Sequence, residues 1–63
     1  MTSPKEEMQR MEADALARER DGEHYLAYLV WDDLEQEAAR FGMQDESRRY
    51  HQRANQALAK SPR

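Results

Sequence analysis

The sequence predicts an all-α chain of three short helices. Ala, Glu, Gln, Arg, Leu and Met dominate its 63 residues, isoleucine is absent, and Thr2 and Val30 are the only β-branched side chains, a composition that favours helix over strand. Apolar residues recur at helical spacing in each of three segments, and the two glycines, Gly22 and Gly42, fall between them. The expected helices are about 4–20, 23–41 and 45–60. They form one small domain over 1–63, with 1–2 and 61–63 as frayed ends. No internal repeat or low-complexity stretch is visible.

The first helix has a well-marked start. Ser3 fits the N-cap, Pro4 the first helical position and Glu6 the capping-box position three residues on. Glu6 and Glu7 suit the positive end of the helix dipole, and Asp14–Arg18 is an i,i+4 pair in the favourable order. The inner stripe is thin: Met8, Met11 and Ala15 align, with Leu16 at the edge, but Glu12 and Glu19 intrude on the same side. This helix is expected to be the most loosely attached. Asp21-Gly22 then breaks the chain, Gly22 taking the left-handed conformation and Asp21 capping the second helix.

The second helix holds four of the five aromatic side chains and three of the five leucines. At 100° per residue, Ala27, Val30, Trp31, Leu34, Ala38 and Phe41 form one stripe. Tyr25 and Leu29 fall nearly opposite, and Leu26 and Tyr28 fill the flanks. The segment Tyr25–Trp31 is apolar all round and must be covered on several sides. Two flanking helices, or one helix and a second chain, would do this. A strand reading fails because no second strand-like run exists to pair with it.

Gly42 reads as a C′ glycine followed by an apolar Met43, Asp45 as the next N-cap and Ser61-Pro62 as the stop. The stripe of the third helix is Ser47, Tyr50, His51, Ala54, Ala57 and Leu58. Antiparallel pairing of helices two and three across a short turn sets Tyr50 near Leu34 or Ala38, and Ala57 and Leu58 near Ala27 or Val30. Leu16 is expected near Leu26.

A chain this short has a small core, worth roughly 3–5 kcal/mol, and with no cysteine it has no disulfide to help. Dimerisation is the simplest way to complete the fold. The longest apolar run, seven residues, is far short of the roughly 20 needed to span a membrane. No secretory signal opens the sequence, so the expected location is cytoplasmic. Charge is uneven. Residues 1–46 carry all thirteen acids and five bases, a net of −8, and residues 47–63 carry five bases and no acid, a net of +5, which together give −3.

Catalytic and metal signatures are weak. His24 and His51 lie in no metal-binding spacing, and His51 reads as a core-edge histidine donating to a carbonyl or to a carboxylate of helix two. None of the three serines has a glycine-rich turn beside it, and two glycines cannot build a phosphate-cradling loop. No catalytic residue, metal ligand or cofactor is assigned.

Binding remains. Tyr and Trp dominate interface hot spots, so Tyr25, Tyr28, Leu29 and Trp31, with the acidic flank Asp32, Asp33 and Glu35, are the expected protein-binding residues. They would serve an adaptor, assembly factor or phage- or plasmid-type inhibitor whose partner presents a basic surface, alongside a homodimer. The alternative is a small DNA- or RNA-binding regulator using Arg48, Arg49, Arg53 and Lys60 on the basic third helix. The acidic remainder of the surface and a turn, FGMQDES, longer than helix-turn-helix motifs prefer both weigh against it.

Overall fold

The computed structural model describes residues 3–61, and the expected frayed ends at 1–2 and 62–63 lie outside the described residues. The described chain is three α-helices: α1 Pro4–Arg20, α2 His24–Arg40 and α3 Gln44–Lys60. Each has 17 residues and each connection has three, so the backbone repeats every 20 residues although the side chains do not. Sequence reading found no repeat because only the punctuation recurs, Arg20-Asp21-Gly22 and Arg40-Phe41-Gly42.

The two turns are built alike. Gly22 and Gly42 have φ of 81° and 75°, a left-handed conformation that costs a residue with a Cβ about 1–2 kcal/mol. At each turn the glycine N–H reaches back three residues, to Glu19 O or Ala39 O, and the next N–H reaches back five, to Arg18 O or Ala38 O. This pattern is the Schellman motif, which satisfies the last carbonyls of a helix. It also corrects two expectations. Asp21 is the C-cap of α1 rather than a cap for α2, and Asp45 lies inside the first turn of α3 behind Met43. The second connection is therefore short, and turn length does not count against a helix-turn-helix.

At the start of α1 the Ser3 side chain accepts the Glu6 N–H at 3.2 Å, with Pro4 in the first turn. Asp14 and Arg18 pair at 3.3 Å. Ser61, expected to fray, caps α3 through its N–H to Leu58 O at 3.1 Å.

Helix α2 packs on both neighbours, more extensively on α3 than on α1, while α1 and α3 approach closely almost nowhere along their backbones. The result is a thin body, with Cα extents of 36 × 21 × 13 Å. The core is Met8 and Ala15 of α1, Ala27, Trp31, Leu34 and Ala38 of α2, and Tyr50, Ala54 and Ala57 of α3. Of the expected stripes, Met11, Val30 and Ser47 are only partly buried, and three further members are exposed. Phe41 is 49% exposed because it caps α2 rather than extending it, Leu58 is 44% exposed, and His51 is an exposed residue on the α2–α3 seam. Leu16 and Leu26, expected to pack together, are both substantially exposed.

Candidate protein-binding surface

The residues expected to bind protein divide around α2 according to its 100° step. Ala27, Trp31, Leu34 and Ala38 point inward and are buried. Glu35 turns toward α3, and Tyr28 is partly buried against the core. Tyr25, Leu29, Asp32, Asp33 and Gln36 share an outward arc of roughly 100°. Tyr25 is 53% exposed and Leu29 40%, with Leu26, also 40% exposed, on their flank. Tyr25 and Tyr28 lie 5.9 Å apart between ring centroids, tilted by 38°. Beyond them the strip turns acidic, and Asp32 accepts the Gln36 side-chain N–H at 3.1 Å.

Glu35 belongs to the α2–α3 seam. Its carbonyl accepts the Ser47 hydroxyl at 3.1 Å, and its carboxylate lies 3.0 Å from His51 Nδ1. Asn55 Nδ2 lies 3.2 Å from His51 Nε2. The neutral ring with its proton on Nδ1 satisfies both contacts, and the carboxylate partner on helix two is the one expected from the sequence.

Trp31 is only 3% exposed, so it is not part of the outward surface. Its ring stacks on Tyr50 at 6.0 Å with 24° between planes, and the Arg53 guanidinium sits 4.8 Å from the ring centroid. The indole N–H donates to Glu19, whose carboxylate also lies 3.8 Å from Arg53. Tyr50 stacks here, in the same buried cluster as Leu34 and Ala38, the residues beside which it is expected. Its hydroxyl hydrogen-bonds Glu12. Burial, aided by the Glu12 charge and that hydrogen bond, pushes the phenol up from 10.0 to about 12, so at neutral pH it is a donor and not a base.

Glu12 and Glu19 are the residues that sequence reading undervalued. They look like flaws in the apolar face of α1, yet each accepts from an aromatic side chain of the core. A signal was present: two acids seven residues apart on the face of Met8 and Ala15, in a chain whose Trp and Tyr each need an acceptor once buried.

The basic residues do not form one surface. Arg53 is held by Trp31 and Glu19, and Arg49 pairs with Glu46 at 3.9 Å. Both line a groove of about 420 Å³ between α1 and α3, floored by Trp31 and Tyr50. Arg48 lines the opposite furrow with Ser47 and His51, and Lys60 is exposed in the last turn of α3. Among the described residues no three His, Asp or Glu side chains gather to hold a metal ion, and no helix is long and apolar enough to cross a membrane. Compared with known proteins, the chain matches no family model, and no curated protein or solved structure is significantly similar to it.

Proposed function

We propose that this chain is a non-catalytic protein-binding module whose contact surface is the outward face of α2. The observation that carries the reading is the distribution of large apolar side chains among the described residues. Four are buried (Met8, Trp31, Leu34, Tyr50), four are partly buried against them (Met11, Tyr28, Val30, Met43) and six are exposed (Leu16, Tyr25, Leu26, Leu29, Phe41, Leu58), the rest of the buried core being alanine. Three of the six cluster on the N-terminal half of α2, next to the acidic Asp32 and Asp33. An apolar patch with a charged border is the usual form of an interaction site.

Helices α2 and α3 form an antiparallel hairpin in this reading. Support comes from the three-residue connection 41–43, too short to carry the chain back to the start of α2, between two helices that pack closely, and from Trp31–Tyr50 and Glu35–Ser47, which run in opposite order on the two helices. The apolar half of the strip takes part in self-association, and the acidic half suits a basic surface. Adaptor, assembly factor and inhibitor are all roles of this kind.

A photo-crosslinking residue in place of Leu29, in the cells that make the chain, tests the proposal. It should yield discrete protein adducts, and the same residue in place of Gln56 should yield none. Absence of any adduct at position 29, including one to a second copy, would end the reading.

A further inference from the structure

We infer that the strip is covered by a second copy of the chain, the two α2 helices crossing antiparallel about a two-fold axis at Leu29. This rests on the reading of the outward face of α2 as a binding surface and names its occupant.

The first argument is area. The chain exposes 4710 Å², whereas a folded monomer of 7.5 kDa is expected to expose about 4,250 Å². The excess of about 450 Å² per chain, about 900 Å² for two, is on the scale of a weak, transient interface. Stacking two thin bodies face to face is the direct way to remove it. In the antiparallel hairpin proposed above, Leu58 lies level with the first turns of α2 and extends the patch across the seam.

The second argument is charge. Helices α1 and α3 carry acids in their first turns, Glu6 and Glu7 in one and Asp45 and Glu46 in the other. Helix α2 has none there, and its N-cap Glu23 makes no side-chain capping bond. A two-fold axis at Leu29 relates position 25 to position 33 and position 26 to position 32. It therefore brings Asp32 and Asp33 of each chain beside the first turn of the other α2, where a negative charge is favourable and where the N-cap acid, Glu23, is drawn toward Arg18 at 3.7 Å. The Tyr25 hydroxyl comes within reach of the same carboxylates. A parallel pairing would instead oppose the acids of the two chains and align the helix dipoles. In the antiparallel one the two acidic pairs are about 10 Å apart along the axis.

The sequence has no cysteine, so one introduced thiol reports on one position. Leu29→Cys on the axis should form an intermolecular disulfide under air at least tenfold faster than Gln56→Cys on the groove between α1 and α3. Sedimentation equilibrium of the purified chain over roughly 1 µM to 1 mM should give twice the chain mass at the upper end. Leu29→Asp should raise the dissociation constant at least tenfold with helicity unchanged by circular dichroism. Asp33→Asn should weaken the dimer about two- to fivefold at low salt and less at high salt. A monomer across the whole range, or equal disulfide rates at positions 29 and 56, overturns the inference. If such a monomer still gives heterologous adducts from position 29 in cells, the binding-surface reading survives and only the second copy is lost.

Discussion

Two aromatic pairs of this chain have nearly the same ring separation and opposite fates. Trp31 and Tyr50 are 6.0 Å apart and buried; Tyr25 and Tyr28 are 5.9 Å apart, and Tyr25 is half exposed. The first pair joins two helices and is closed by a third, because Glu19 and Glu12 of α1 accept the indole N–H and the phenol O–H. The second lies along one helix, at i and i+3, and among the described residues no acid of a neighbouring helix hydrogen-bonds to it. The difference shows what decides whether a polar-tipped aromatic belongs to a core. Ring contact is available to both pairs, and the acceptor for the polar tip is available to one.

The sharpest way to break the comparison is truncation of the buried ring. Trp31→Ala should cost about 3–5 kcal/mol, close to the whole stability of a chain this size, and leave it largely unfolded by circular dichroism at 25 °C. Next in size is the acceptor. Glu19→Ala strands the indole N–H and removes the counter-charge of Arg53, a loss of about 1–3 kcal/mol in urea denaturation. Glu19→Gln, which keeps an acceptor, should recover most of it, and equal losses in the two variants would remove the hydrogen bond from the account.

The Tyr50 hydroxyl offers a pH test. Its phenol titrates at about 12 in the folded chain and near 10 when unfolded. The folded state therefore holds the proton more tightly. Its contribution to stability is complete below about pH 10 and is lost as pH rises toward 12. Tyr50→Phe should flatten that decline in the urea midpoint, and an unchanged decline would mean that burial and Glu12 do not act on this group. The smallest effect belongs to the exposed pair. Tyr25→Ala should change monomer stability by no more than about 0.5 kcal/mol, and a loss near that of Trp31→Ala would erase the contrast.

Much of the inner architecture was legible in advance. The positions of Met8, Ala15, Ala27, Trp31, Leu34, Ala38, Tyr50, Ala54 and Ala57 all follow from a 3.6-residue period. The candidate surface is legible only in part, since Trp31 lies on the inner stripe while its residue type suggests an interface anchor. Its burial puts it in the core. Arg53 met a similar fate: it read as part of a basic face and is occupied by Trp31 and Glu19. A wheel drawn for one helix at a time cannot show which charged residue of another helix will meet an indole.

Composition, the cap at Ser3 and the two glycines determined by themselves that the chain is three helices and placed their ends within about a residue. These are local effects, set by propensity and by backbone conformations that only neighbouring residues influence. The tertiary structure alone decided that two acids of α1 would complete the aromatic core, that the basic residues of α3 would divide between two faces, and that Leu16 and Leu26 would both stay largely exposed. Those outcomes depend on how three helices are set against one another, and no local preference encodes that arrangement.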